Sequence, residues 1–252
     1  MSTPKRLPRV LGEKVLEYQY PVVEKFFSLQ GEGLYAGVPM AFVRLAGCPV
    51  GGPTGLCKSW QGKEFVCDTG PSYQRAFVPA WAADLSPQSR QVEYHAYTEK
   101  GEKHTAKQLW EWVGDVAPKG RATMCLTGGE PLVYELSHLL LGKPSFLYHL
   151  HIETSGTVEK LIPSWVWLTV SPKAGALEVM LKRADEVKLL VERTTEVQDL
   201  LPWLSYRNLC LQPIDNQIDL SGGTENMLRA VELCKLTGAR LSLQTHKLLR
   251  VR

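Results

Sequence analysis

Short runs of apolar residues recur along the chain and predict a series of strands. Most runs are continuous rather than alternating, which is typical of strands covered on both faces by other structure. The predicted strands are Val22–Leu29, Ala41–Leu45, Ala122–Leu126, Leu147–Ile152, Val166–Val170, Glu186–Val191, Asn208–Leu211 and Arg240–Leu243. Because parallel sheets are usually buried on both faces, this pattern favours an α/β fold.

Helical periodicity separates several of the strands. Thr105 and Gln108 match a capping box that begins one helix, and Thr224–Thr237 predicts another that ends at Gly238. The apolar residues expected to face inward on this second helix are Leu228, Val231 and Leu236. Strands that alternate with helices predict a mostly parallel sheet, open or partly closed into a barrel. Functional side chains in such sheets collect at the carboxyl ends of the strands.

Composition and charge are those of a globular protein. With 252 residues, 44% of them apolar, the chain can form one domain spanning residues 1–252. The net charge of +3 is small and spread along the chain, so no nucleic-acid or membrane surface is predicted. No apolar stretch is long enough to span a bilayer, and the N-terminal segment lacks the apolar part of a secretory signal. We therefore expect a cytoplasmic protein whose six cysteines are reduced thiols or metal ligands.

One segment interrupts the alternation of strands and helices. Residues 49–103 are rich in Gly, Pro, Trp and Tyr, which predicts an irregular insertion with a function. Cys48, Cys57 and Cys67 lie in or beside this segment. Three thiolates leave one iron of a four-iron cluster open to a ligand, whereas a closed zinc site needs four ligands. A metal site is favoured over three unrelated thiols, with cluster and zinc both open. The remaining cysteines lie in apolar patterns and are interpreted as core: Cys125, Cys210 and Cys234.

Four polar motifs follow four of the predicted strands. They are Thr127–Pro131, Glu153–Thr157, Ser171–Lys173 and Gln212–Asp215. Each motif alone is more simply interpreted as a turn, but four of them at strand ends are typical of an assembled α/β site. In this interpretation Glu130 offers an acceptor for an ammonium group, and Lys173 offers a cation for a carboxylate.

Further polar residues near strand ends suggest recognition of a ligand. Gln30 and Glu32 follow the first strand in a glycine-containing segment, which is either a simple turn or a surface that hydrogen-bonds a heterocycle. Arg44 lies inside an apolar strand, where a buried guanidinium requires an anionic ligand or a core carboxylate. His246 follows the last strand, a position where histidine is more often structural than catalytic.

Taken together, these segments resemble the 7-carboxy-7-deazaguanine synthase family of radical S-adenosylmethionine (SAM) enzymes. The resemblance runs from about Val22 to Arg252 and is weakest over Pro49–Lys103. Its most specific motifs are Leu29–Gly33, Phe42–Cys48 and Cys67–Thr69. The four strand-end motifs and Gln244–Lys247 then follow in the order of the family. The resemblance implies an incomplete β/α barrel of the radical SAM type.

The resemblance also implies a role for each matching residue. Cys48 and Cys67 match the outer ligands of a [4Fe–4S] cluster, and Cys57 is the candidate for the middle ligand although the family's usual C-x-x-C ending is missing. Thr69 matches a position that binds Mg²⁺. The residues implied to bind SAM are Val66, Cys67, Asp68, Gly129, Glu153, Thr154, Ser155, Ser171, Pro172, Lys173, Gln212, Pro213, Ile214 and Asp215. The residues implied to bind substrate are Leu29, Gln30, Gly31, Glu32, Arg44, Thr127, His246 and Arg252.

The implied activity converts 6-carboxy-5,6,7,8-tetrahydropterin to 7-carboxy-7-deazaguanine with loss of ammonia, a step that supplies precursors of queuosine and other deazapurines. A reduced cluster would cleave SAM, and the resulting 5′-deoxyadenosyl radical would remove a substrate hydrogen. The implied partners are the pterin, an electron donor such as flavodoxin or ferredoxin, and a second copy of the chain in a homodimer. Two alternatives stay open, namely activation of a glycyl-radical enzyme and a zinc-binding adaptor.

Overall fold

The computed structural model describes residues 18–50, 56–67, 101–118, 120–214 and 220–249. Its strands are β1 (Gln19–Leu29), β2 (Pro39–Leu45), β3 (Leu56–Lys58), β4 (Glu64–Val66), β5 (Glu102–Thr105), β6 (Ala122–Gly128), β7 (Tyr148–Thr154), β8 (Trp167–Val170), β9 (Glu186–Val191), β10 (Leu209–Pro213) and β11 (Arg240–Leu241). Its helices are α1 (Ala106–Val116), α2 (Ser137–Leu141), α3 (Glu178–Arg183), α4 (Val197–Leu200), α5 (Leu220–Thr237) and α6 (Thr245–Leu249). Among these residues, no helix combines the length and the apolar character needed to cross a bilayer.

Nine of these strands form one sheet in the order β11-β10-β9-β8-β7-β6-β2-β1-β5. Every neighbouring pair from β2 and β6 to β10 and β11 is parallel, while β1 is antiparallel to both β2 and β5. The prediction of a mostly parallel α/β sheet is therefore confirmed. Because parallel strands point the same way, the segments after β6, β7, β8 and β10 emerge at one edge of the sheet.

The sheet curves until the segment after β1 contacts the segment after β11. The backbone N–H of Gly33 donates to Ser242 Oγ at 2.9 Å. The backbone N–H of Thr245 donates to the carbonyl oxygen of Gly31, also at 2.9 Å. These bonds join the two ends of the parallel array without adding a strand between them, which gives the incomplete barrel that the resemblance implies.

Helix α1 shows how the local sequence fixes an element. The N–H of Gln108 donates to Thr105 Oγ1 at 3.2 Å, and the N–H of Thr105 donates to Gln108 Oε1 at 2.8 Å, so the predicted capping box is present. Leu109, Trp110 and Val113 then recur at helical spacing and are buried against the sheet. The capped and amphipathic segment therefore covers one face of the sheet.

Helix α5 has a different inward face from the one predicted. Leu228 and Leu236, which we expected to be buried, are 65% and 62% exposed. Ala230 and Leu233 are fully buried instead and pack with residues of β9 and β10. A small residue at the contact lets the helix approach the sheet closely, so the largest apolar side chains do not mark the packed face. Gly238 ends the helix as predicted.

Candidate active site

A cleft of about 230 Å³ lies at the carboxyl ends of the parallel strands and collects most of the predicted site residues. Those that line it are Leu29, Gln30, Gly31, Glu32, Arg44, Cys48, Cys57, Cys67, Thr127, Gly129, Glu153, Thr154, Ser155, Ser171, Lys173, Gln212, Pro213, Ile214 and His246. Pro172 is buried between Ser171 and Lys173, and Val66 is the last residue of β4. The remaining predicted residues lie outside the described ranges: Asp68, Thr69, Asp215 and Arg252.

The three cleft cysteines come from two separate elements. Cys48 follows β2, while Cys57 lies within β3 and Cys67 directly follows its antiparallel partner β4. This hairpin is fastened to the barrel because Trp60 Nε1 donates to the carbonyl oxygen of Leu190 at 2.9 Å. The unusually long spacing between Cys48 and Cys67 therefore contains a hairpin, which brings Cys57 to the cleft.

The paired glycines at the end of β6, Gly128 and Gly129, hold the segment that carries Cys48 close to the sheet. The N–H of Gly129 donates to the carbonyl oxygen of Leu45 at 3.0 Å, and the N–H of Glu130 donates to that of Gly47 at 2.8 Å. A Cβ added to Gly129 would overlap the Gly47 carbonyl oxygen and lie 3.1 Å from the Cβ of Cys48. A side chain at position 129 would therefore push the segment that carries Cys48 away.

Glu130 does not face the cleft, so its expected role as an ammonium acceptor is not supported. Its carboxylate is fully buried and accepts hydrogen bonds from Thr154 Oγ1 at 2.7 Å and from the backbone N–H of Ser155 at 2.8 Å. It also accepts from the hydroxyl of Ser155 and from the N–H of Leu132. Glu130 thus fixes the end of β7, where Thr154 and Ser155 line the cleft.

A charged network that sequence reasoning missed lines the cleft. The ammonium of Lys188, on β9, forms an ion pair with Glu32 and lies 4.0 Å from Glu153 Oε1. Gln244 Nε2 donates to Glu32 Oε1 at 2.7 Å. The signal that could have identified Lys188 is a lysine in the middle of an apolar run that predicts a strand buried on both faces.

Glu153 is held by two neighbours that were predicted to bind ligands. Gln30 Nε2 donates to Glu153 Oε1 at 3.0 Å, and Thr127 Oγ1 donates to Glu153 Oε2 at 3.0 Å. The side chain of Glu153 retains 22% exposure. The carboxylate is therefore oriented by the protein yet still reaches the cleft.

Burial and the charge of Lys188 act in opposite directions on both carboxyl groups. Burial alone would raise the pKa of Glu32, but the charge and hydrogen bond of Lys188 and the hydrogen bond of Gln244 outweigh it and lower this pKa to about 2. The pKa of Glu153 is also lowered, since Lys188 and the Thr127 hydroxyl offset its burial. Both groups are therefore carboxylates at neutral pH.

Arg44, on β2, and His246, on α6, both line the cleft. Arg44 Nε lies 2.9 Å from Glu24 Oε1 on the neighbouring strand, so a protein carboxylate pairs with this guanidinium. Arg44 still lines the cleft and can contact an anionic ligand as well. His246 packs against Gly31, where an added Cβ would overlap the imidazole ring. A glycine at position 31 is therefore needed to bring α6 to the cleft.

Lys173 provides a cation beside the cleft cysteines. Its ammonium donates to the carbonyl oxygen and to the hydroxyl oxygen of Ser171, both at 2.9 Å. It also lies 5.8 Å from the centre of the Phe65 ring, on the cysteine hairpin. This position suits a ligand carboxylate that approaches the cleft between β8 and the hairpin.

An incomplete barrel of parallel strands, with three thiols and four polar strand ends around one cleft, defines the class of radical SAM enzymes. The chain is 34% identical to 7-carboxy-7-deazaguanine synthase of Escherichia coli strain K12, over 92% of this chain and 99% of that protein. The enzyme of the same name from Bradyrhizobium diazoefficiens is 31% identical over 92% of this chain and 99% of its own. No family model matches the chain.

A solved structure gives the same result at the level of the fold. The crystal structure of QueE from Escherichia coli superposes with a TM-score of 0.63 and 30% identity, covering 89% of this chain and 93% of that one. The chain belongs to the 7-carboxy-7-deazaguanine synthase family.

Proposed function

We propose that this protein is a radical SAM carbon–nitrogen lyase that converts 6-carboxy-5,6,7,8-tetrahydropterin to 7-carboxy-7-deazaguanine and releases ammonia. The reaction supplies a precursor of queuosine and other deazapurines. The observation that carries the proposal is that Cys48, Cys57 and Cys67 line the same cleft as Glu32 and Glu153. Thiols that can bind an iron–sulfur cluster and carboxylates that can accept hydrogen bonds from a heterocycle therefore line the same cleft.

We assign a [4Fe–4S] cluster to the three thiols of the cleft, with SAM beside it. Three thiols suit three of the four irons, and the close approach at Gly129 leaves backbone rather than side chain next to Cys48. Ser155, Ser171 and Lys173 would hold the amino and carboxylate groups of SAM. Bound together, the cluster and SAM supply the one-electron chemistry that removes a hydrogen atom from the substrate.

The protein's own part in the reaction is to bind, orient and shield the pterin. Glu32 and Glu153 are ionised acceptors that suit the N–H donors of the aminopyrimidinone ring. Arg44 and His246 offer donors for the oxygen atoms and the carboxylate of the substrate. The apolar side chains of Phe26 and Phe42 line the same cleft and limit the water around the reacting centre.

Further features of the proposal concern partners of the reaction. We assign Thr69 to Mg²⁺, which would offset charge on the substrate during the rearrangement. A flavodoxin or ferredoxin would deliver the electron, and the active enzyme would be a homodimer in the cytoplasm. Size-exclusion chromatography with light scattering tests the dimer, and reconstitution with either donor protein tests the electron source.

An anaerobic turnover assay tests the function. The reconstituted protein is supplied with SAM, a reductant, Mg²⁺ and the carboxytetrahydropterin, and mass spectrometry follows the deazaguanine acid. We expect product from the wild type and from Cys234→Ala, whose thiol is on α5, but none from Cys48→Ala. Reconstituted wild type that cleaves SAM but leaves the pterin intact would contradict the proposal and favour activation of a glycyl-radical enzyme.

A further inference from the structure

We propose that Lys188 is a positioning residue for the reaction, which holds Glu32 and Glu153 together as a charged pair of acceptors for the substrate. The inference rests on the function proposed above. We assign no direct contact with the substrate to Lys188, since its ammonium is engaged by the two carboxylates.

The position of Lys188 in the sheet leaves its side chain little freedom. It lies in the middle of β9, which pairs with β8 on one side and places Lys188 opposite Cys210 of β10 on the other. All six residues of β9 are buried, and the side chain of Lys188 is 6% exposed. A lysine in this environment requires anionic partners, because an unpaired ammonium in the interior is costly.

The partners of Lys188 come from distant parts of the chain. Glu32 belongs to the segment after β1, and Glu153 is near the end of β7. Gln30 links these two acceptors a second time, because its Nε2 donates to Glu153 and its Oε1 accepts the backbone N–H of Glu32 at 3.2 Å. Removal of Lys188 would therefore leave the hydrogen bonds of Gln30 in place but withdraw the charge between the carboxylates.

The surrounding charges make Lys188 the main source of neutralisation. Glu186, also on β9, is a third buried carboxyl group and accepts the N–H of Leu34 at 2.9 Å. A charge on His246 lowers the pKa of Glu32 less than Lys188 does, and a charge on His151 would lower the pKa of Glu153 less than Lys188 does. Burial lowers the pKa of His151 to about 4, so its ring is neutral at pH 7 and adds no compensating charge.

The remaining groups near this network do not replace Lys188. Arg44 is paired with Glu24. The hydroxyl of Thr127 and the amide of Gln244 donate hydrogen bonds to the two carboxylates but carry no charge. Burial raises the pKa of the nearby Cys125 thiol, which therefore stays neutral. Within the described residues, Lys188 is the lysine or arginine that contacts both Glu32 and Glu153.

Loss of this charge has a predictable consequence for substrate recognition. An ionised carboxylate accepts the N–H donors of the pterin, whereas a protonated carboxyl group presents an O–H donor to them. Without Lys188, burial would raise the pKa of both carboxyl groups, so the accepting form would exist only at higher pH. Substrate affinity would then fall as pH falls through the raised pKa.

The test compares Lys188→Met with the wild type by the pH dependence of kcat/KM for the pterin, at saturating SAM between about pH 6 and 9. We expect Lys188→Met to lose about a hundredfold in kcat/KM at the acid end and about tenfold at the alkaline end, mostly through KM. Wild type should lack this acid limb, because the pKa of Glu32 is about 2. Lys188→Arg, which keeps the charge, should restore the wild-type shape.

Further variants separate the role of the charge from general damage. Lys188→Gln keeps a hydrogen-bonding group without charge and should show the same acid limb as Lys188→Met, which covers the case in which Lys188→Met does not fold. Lys182→Met removes an exposed lysine of α3 and should leave the profile unchanged. Iron content and SAM affinity, measured in parallel, confirm that each variant is assembled.

Two outcomes have different meanings. In the first outcome, Lys188→Gln and Lys188→Met assemble, but the pH dependence of their kcat/KM has the same shape as that of wild type, or their KM for the pterin is unchanged. This result would overturn the role of Lys188 and leave the proposed function intact. A wild-type protein that never converts the pterin would instead overturn the proposed function, and the Lys188 proposal with it.

Discussion

Three of the six cysteines face the cleft and three are packed in the fold, although burial alone does not separate the two groups. Cys57 of the cleft group is only 4% exposed, close to the fully buried Cys125 and Cys210. The groups differ in what they face. Cys57 lines the cleft, whereas Cys125 packs with Met40 and Phe42 between strands. Direction relative to the cleft, rather than depth, therefore separates the proposed cluster ligands from the core cysteines.

The environment of the packed group also suppresses thiol chemistry. Burial raises the pKa of Cys125 far above its ordinary value, that of Cys210 to about 12 and that of Cys234 to about 11. A protonated thiol is a poor metal ligand and a poor nucleophile. Burial within the sheet and on α5 therefore lowers the reactivity of these three thiols at neutral pH.

The largest effect is expected when one of the three cleft cysteines is replaced. Cys57→Ala removes one of the three proposed cluster ligands, and we expect it to lose the cluster as fully as Cys48→Ala or Cys67→Ala, with no measurable product formation. Iron and sulfide analysis after anaerobic reconstitution is the measurement. A Cys57→Ala protein that keeps its full iron content would show that the hairpin does not provide the second ligand.

The strands of the sheet were predictable because burial on both faces produces continuous apolar runs in the sequence. Each of the eight strands predicted from apolar runs has a counterpart in the nine-stranded sheet, and Glu186–Val191 has identical bounds. The inward face of α5 was not predictable from side-chain size, because Ala230 makes the close contact. The curvature of the sheet, which brings Gly33 to Ser242, depends on contacts between distant segments and could not be predicted from a local sequence pattern.

The site was predictable where residues lie at the ends of strands, and less so where they lie in the middle of a strand or contact other loops. Thr127, Glu153 and Ser171 were found because parallel strands end at one edge. Lys188 was missed because it is hidden in an apolar run, and Glu130 was misinterpreted because its partners come from the end of β7. The contacts of Lys188 and Glu130 are made with residues far away in the sequence, and the periodicity of apolar residues does not predict them.

The next effect tests how closely the cleft cysteines depend on the sheet. Gly129→Ala would place a methyl group against the Gly47 carbonyl, so we expect a loss of about 3 kcal/mol in the free energy of unfolding and a clear loss of bound iron. Thermal and denaturant unfolding, with iron analysis, measure both. Gly37→Ala is the control, since an added Cβ there has open space and only the positive φ of 88° opposes it.

The outcome for Gly129→Ala bears directly on the role of the paired glycines. Stability and iron content that match those of Gly37→Ala would mean that the Cys48 segment can move without consequence. The close backbone approach after β6 would then be incidental to metal binding.

A smaller effect is expected in the packed group. Cys125→Ser places a hydroxyl among Met40 and Phe42, and we expect it to lower the free energy of unfolding by about 2 kcal/mol. Iron per folded protein should stay at the wild-type level. Cys234→Ser, at a half-buried position, should cost well under half as much. Loss of iron from Cys125→Ser without unfolding would contradict its assignment to the core.

The smallest effect concerns reactivity and leaves the fold unchanged. The thiol of Cys234 has a pKa of about 11 because of burial, so its thiolate fraction and its alkylation rate should rise about tenfold for each pH unit between pH 7 and 10. Cys210, which is fully buried and has a pKa of about 12, should stay unlabelled over the same time. Peptide mass spectrometry after iodoacetamide treatment measures both sites. If Cys234 were alkylated at a rate independent of pH, exposure through opening of α5 rather than thiol ionisation would control the reaction, and the packed cysteines would be less firmly held than the sheet implies.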